Sequence, residues 1–144
     1  MVEQDTIRLL RECDSGIKMG ISSIADSVGY VRNDDLKGLL RESLDRHEKL
    51  RSDMQKLLES YDDDGKEPAL MAKGMEWFKT NVTLALDVSD SKIADFIVDG
   101  CNMGVKSLSK YLNQYKAADE KSKDIAKRLI SEEENLSKDV RQYL

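Results

Sequence analysis

The feature that most restricts the fold of this chain is an internal repeat. Gly16-Ile17-Lys18-Met19-Gly20-Ile21-Ser22-Ser23-Ile24 matches Gly100-Cys101-Asn102-Met103-Gly104-Val105-Lys106-Ser107-Leu108, 84 residues further on. Four of the nine positions are identical and two more are aliphatic exchanges. A second match lies at an offset of 86: His47-Glu48-Lys49-Leu50 aligns with Glu133-Glu134-Asn135-Leu136, Asp53 with Asp139, Met54 with Val140 and Leu58 with Leu144. The two-residue difference falls between the matched segments, where lengthening a loop costs little. The 144 residues therefore read as one domain, 1–144, built from two related helical hairpins, 5–62 and 90–144, with a connecting helix over 67–88.

Hydrophobic spacing supports helices throughout. Ile7, Leu10, Ile17, Ile21, Ile24, Val28 and Val31 form a stripe interrupted at Asp14. Asn33 is a suitable N-cap, followed by Asp34 and Asp35 where the first turn favours acids. The next stripe, Leu36, Leu40, Ser43, His47, Leu50, Met54, Leu57 and Tyr61, alternates steps of four and three as a core-facing seam does. Gly65 after three aspartates is the expected stop. Pro68 suits the first turn of the connecting helix. Ala94, Val98, Cys101, Val105, Leu108, Leu112 and Tyr115 stripe the next helix, and Ile125, Leu129, Leu136, Val140 and Tyr143 the last.

Composition excludes several classes. Charged residues are 35% of the chain, aromatics 6%, and there is a single Pro, so collagen-like and Pro-rich disordered chains are out. No stretch approaches 18 uninterrupted apolar residues, so no membrane span is expected. The charged start MVEQDTIRLLREC lacks a hydrophobic signal core. A net charge of −5 without a basic patch argues against nucleic acid. Cys13 and Cys101 show no metal-finger spacing and read as reduced, buried thiols of a cytoplasmic protein. Ser60 to Gly65 hints at a calcium loop, but Met71 stands where the bidentate acid is needed.

Two hairpins with a long connection imply an all-α, up-down four-helix bundle. The runs GIKMGISSIADSV, LKGLLRESLDRHEKL, GCNMGVKSLSKYL and SEEENLSKDVRQYL resemble uncharacterised bacterial proteins of the ferritin-like superfamily. The resemblance implies a ferritin-like bundle and raises the question of a di-iron site, for which two helices each supply a Glu and two supply Glu-x-x-His. This chain departs from that recipe. Its one histidine, His47, has Leu44 three residues before it, and the aligned Glu133 has Ile130. Counting along the hairpins puts His47 level with Gly20 and Ile21, and Glu133 level with Gly104 and Val105. Gly16/Gly20 and Gly100/Gly104 thus stand where carboxylates would be needed, and their spacing suggests close helix approach.

What remains is one polar layer, His47 with Glu133, or with Glu132 as the alternative. Its expected state is a core histidine paired with a carboxylate in the bundle centre. A metal site of His47, Glu133 and Glu132 is the competing reading. Of Glu132-Glu133-Glu134, one member is expected to turn inward and the rest to face water. Asp14 is expected to cap locally or to pair with a basic neighbour, outside any site. The function these readings imply is a non-catalytic helical bundle, without cofactor, acting through self-association or a protein partner. The alternative is a metal-binding or redox protein that keeps a reduced ferritin-like site. A homodimer is expected through Met71, Met75, Trp77 and Phe78, because the connecting helix carries more apolar surface than one bundle face can cover.

Overall fold

The computed structural model describes residues 2–66 and 88–144. Among them are four α-helices and no strand: α1 (Val2–Val28), α2 (Asp34–Ser60), α3 (Asp90–Gln114) and α4 (Glu120–Val140), with a closing 3-10 turn at Arg141–Tyr143. No helix among the described residues is long and apolar enough to cross a membrane. The connecting helix expected over 67–88, with Met71, Met75, Trp77 and Phe78, lies outside the described residues except for Val88. That residue is non-helical and packs on the apolar cluster at the adjacent end of the bundle.

Helix starts follow local chemistry. The Asn33 side chain accepts the N–H groups of Asp35 (2.9 Å) and Leu36 (3.0 Å), Ser89 accepts from Lys92 (3.2 Å), and Asp119 accepts from Ser122 (2.8 Å). Each side chain satisfies backbone donors that a helix start leaves unpaired. After α2 the chain turns through Asp62 (φ 53°) to Gly65 (φ 87°). A Cβ at Gly65 would run into the Asp14 carboxylate, so both conformation and space demand glycine there.

The helices form a four-helix bundle in which α1 pairs with α2, α3 with α4, and α2 lies along α4. α1 and α3 run antiparallel. At one end the Asp90 carboxylate accepts the backbone N–H groups of Arg32 (2.8 Å) and Asn33 (2.9 Å). At the other end Ala117 N–H donates to Asp5 (3.1 Å) and Asp119 N–H to Thr6 Oγ1 (2.8 Å). The core is divided. One apolar cluster gathers Leu9, Ile17, Leu50, Met54, Leu108 and Leu129; the other gathers Ile24, Leu36, Leu40, Ile97, Leu136 and Val140. Between them each helix contributes small or polar residues: Gly20, Ser43 with His47, Gly104, and Glu132 with Glu133.

Several stripe positions shift against expectation. α3 buries Ile93 and Ile97 and leaves Val98 and Val105 half-buried, because its tightest neighbour is α4 rather than α1. α1 buries Thr6, Leu9 and Cys13 and leaves Ile7, Ile21 and Val28 half-buried. α2 keeps its seam to Met54 and then buries Leu58 in place of Leu57. The glycines are a further correction. Gly16, Gly20 and Gly104 make room for side chains of α2 and α4, which the spacing alone did not show. A Cβ on Gly20 would stand 3.0 Å from the His47 ring, one on Gly104 3.6 Å from Glu133, and one on Gly16 3.7 Å from Leu129.

Candidate functional site

Two consecutive residues of α2 meet two consecutive residues of α4 at the bundle centre. His47 is wholly buried. Its Nδ1 lies 2.7 Å from the Ser43 carbonyl, which can only accept, so this nitrogen carries a proton. Its Nε2 lies 2.6 Å from Glu133 Oε1. Beside this pair, Arg46 Nε lies 2.9 Å and 2.8 Å from the two Glu132 oxygens, and Ser43 Oγ donates to Glu132 Oε1 at 2.9 Å. No buried side-chain nitrogen or oxygen among the described residues is left without a partner.

The electrostatics follow from this geometry. Burial by itself pushes His47 toward the neutral form. The hydrogen bond and charge of Glu133, the Ser43 carbonyl and the nearby Glu132 outweigh it, so the net shift is upward from 6.5. The layer thus sets a histidine–carboxylate pair that shares a proton beside a guanidinium–carboxylate pair. Cys101 closes the Glu133 side. Its thiol bonds to Glu133, and burial followed by the Glu133 charge holds its pKa well above the usual thiol value. Such a thiol stays protonated and is a poor nucleophile. Cys13, buried among apolar residues near Glu12 and Asp14, is pushed up to about 12. Both cysteines are free and buried, as expected.

The structure brings His47 and Glu133 together as the sequence counting anticipated. It corrects the reading of the glutamate run: Glu132 and Glu133 both turn inward, and only Glu134 faces solvent. The half-exposed Arg46 makes this possible by neutralising Glu132. Arg46, and the acceptor and donor roles of Ser43, were missed from sequence. The signal was present, since Arg46 aligns with Glu132 at the same offset of 86 that aligns His47 with Glu133.

Asp14 forms a second buried polar contact. Its Oδ2 lies 2.8 Å from Lys18 Nζ and accepts the Lys66 backbone N–H at 2.9 Å. It therefore pairs with a basic neighbour and also fastens the chain that leaves α2.

As a metal centre, the mid-layer fits poorly. Among the described residues, no three His, Cys, Asp or Glu side chains converge on one point. His47 Nε2 faces its carboxylate through a proton rather than offering a lone pair, and Glu132 is held by Arg46. Comparisons of the chain with protein-family models, with curated proteins and with solved structures find no match.

Proposed function

We propose that this protein is a non-catalytic, ferritin-like helical bundle that acts through self-association or protein partners. The observation that supports this most is the closed mid-layer. Where a di-iron bundle would present free carboxylates and imidazoles, His47, Glu133, Arg46, Glu132 and Ser43 satisfy one another at 2.6–2.9 Å. A buried layer of this kind holds α2 and α4 in one register and leaves no group poised to accept a proton from a substrate. The competing reading, a reduced ferritin-like metal site at His47, Glu133 and Glu132, would require this pairing to be broken. Elemental analysis of the purified protein separates the two. The expected result is no stoichiometric iron, manganese or zinc. One equivalent or more per chain, lost in His47→Ala, would overturn the reading in favour of the metal site.

The self-association we propose is a homodimer, supported by the apolar sequence of residues 67–87. Met71, Met75, Phe78 and Val82 form one heptad stripe, and Leu70, Trp77 and Leu84 a second. The bundle can cover one, leaving the other for a second copy. Sedimentation equilibrium at micromolar concentration should give twice 16.3 kDa. A mass of 16.3 kDa, unchanged by Trp77→Glu, would remove the dimer.

A further inference from the structure

His47 faces acceptors at both ring nitrogens. Nδ1 lies 2.7 Å from the Ser43 carbonyl and Nε2 lies 2.6 Å from the Glu133 carboxylate. The arrangement needs two protons, one on Nδ1 and one shared between Nε2 and Glu133. A neutral imidazole carries only one, so a ring that loses a proton turns one lone pair toward an acceptor. The ring is wholly buried, so the missing donor has to come from the protein.

The same layer holds one donor that can change its target. Ser43 stands one turn before His47 on α2, and its Oγ lies 2.9 Å from Glu132 Oε1 and 3.3 Å from His47 Nδ1. A hydroxyl has one hydrogen and turns about its C–O bond, so it serves one of these acceptors at a time. Of the two protons on the ring, the one at Glu133 is the harder to remove. It sits between the ring and a carboxylate, and a charge-assisted bond of that kind is about twice as strong as a neutral bond to a carbonyl. The Nδ1 proton is therefore the one that leaves, on the side where the hydroxyl lies. Glu132 keeps a partner without that hydroxyl, because Arg46 Nε holds both of its oxygens.

Among the described residues the other charged or titratable groups around the ring are few. α2 presents Arg46, and α4 presents Glu132 and Glu133. α3 presents Cys101, whose thiol bonds to Glu133 and stays protonated. α1 presents Gly20, while its Asp14 and Lys18 bond each other.

We infer that the Ser43 hydroxyl is a two-position proton relay: it donates to Glu132 while both ring nitrogens of His47 hold protons, and to Nδ1 once that nitrogen has given its proton up. The transfer balances. The Nδ1–H bond breaks as an Oγ–H bond forms toward the ring, the old hydroxyl proton passes to Glu132 Oε1, and Glu132 hands it to water beside the half-exposed Arg46. Nε2 keeps its proton and its bond to Glu133 throughout. Loss of one proton at His47 thus leaves Glu132 with Arg46 alone, so the two pairs that join α2 to α4 respond to pH as a unit and weaken above the folded titration point of His47. The upward shift of His47 agrees with this direction, since the protonated ring has the fuller set of bonds. The relay lies within one chain and stands apart from the proposed dimer.

His47 is the only histidine in the sequence, so a nitrogen NMR titration of the histidine-labelled full chain reads this ring alone. The expected neutral form carries its proton on Nε2 and none on Nδ1. In Ser43→Ala the midpoint should rise by about half a pH unit or more, because the neutral ring loses its donor. Ser43→Thr keeps a hydroxyl and should bring the midpoint back. A neutral wild-type ring with its proton on Nδ1 would overturn the relay, because the hydroxyl would then have no place at that nitrogen. So would an unchanged midpoint in Ser43→Ala, or a ring that keeps both protons until the chain unfolds. Should Ser43→Ala fail to fold, the wild-type tautomer still decides the matter.

Discussion

The two hairpins place the same kind of layer at the same depth and give it opposite charge. α1–α2 supplies Arg46 and His47; α3–α4 supplies Glu132 and Glu133, which sequence alignment pairs with them at an offset of 86. In each hairpin a glycine opposite the layer makes room: Gly20 for His47 and Gly104 for Glu133. Two identical hairpins packed face to face would set histidine against histidine or glutamate against glutamate. Like charges in a core would then repel, or one would have to lose its charge. One of each makes two ion pairs. Beyond the layer the hairpins diverge: Asp14, held by Lys18 and Lys66, aligns with Val98, so the first hairpin carries a polar fastening that the second does not have.

The largest expected effect comes from breaking the central pair on one side only. Glu133→Ala leaves a buried imidazolium without its carboxylate and should lower the unfolding free energy by about 3–5 kcal/mol in urea titration. The reciprocal exchange, His47→Glu with Glu133→His, should recover part of that loss, because the pair is restored with its charges swapped. If the double exchange is as unstable as Glu133→Ala, the surroundings of the two positions are not interchangeable, and the likeness of the hairpins stops at the backbone.

Gly65→Ala comes next. The new Cβ would meet the Asp14 carboxylate at a positive φ. It should cost about 1–3 kcal/mol, by the same measurement. A neutral outcome would mean that the fastening peculiar to the first hairpin contributes nothing.

Smaller still is the contrast between the layer glycines. Gly20→Ala places a methyl 3.0 Å from a ring that is held at both nitrogens and cannot give way, whereas Gly104→Ala makes ordinary contact at 3.6 Å. Gly20→Ala should therefore be the less stable of the two by about 1 kcal/mol, a reduced gain from removing a mid-helix glycine at best. Equal effects would show that the ring moves.

The pH dependence has a definite sign. His47 has its pKa raised in the folded state, so the stability it contributes is full below 6.5 and is lost as pH rises through the folded value. Wild-type unfolding free energy should fall more steeply above pH 6.5 than that of His47→Gln. Parallel profiles would assign the pair no net contribution. Arg46→Gln should cost about 1–3 kcal/mol, because it leaves the buried Glu132 carboxylate with Ser43 Oγ as its remaining partner.

The pairing of His47 with Glu133 could be read in advance because both sit on strictly spaced seams, and counting back from the hairpin turns gives depth. Glu132 could not be placed that way. A run of three glutamates looks like a solvated face unless its partner is known, and Arg46 reaches it from another helix only once α2 and α4 are packed. The α3 stripe was misread for a related reason. Ile93 and Ile97 lie on one helix face and Val98 and Val105 on another, and periodicity alone does not say which face meets a neighbour.

What the sequence determined by itself is local and periodic: four helices in the described residues, the cap at Asn33, the stop near Gly65 and the depth of the polar layer. These follow from backbone hydrogen bonding and 3.6-residue spacing, which act within a few turns of chain. Tertiary structure alone decided which faces touch. It made Gly20 and Gly104 the space for His47 and Glu133, and it joined Arg46 to Glu132 across 86 residues. Burial and charge pairing depend on neighbours in space, and only the folded chain brings those neighbours within reach.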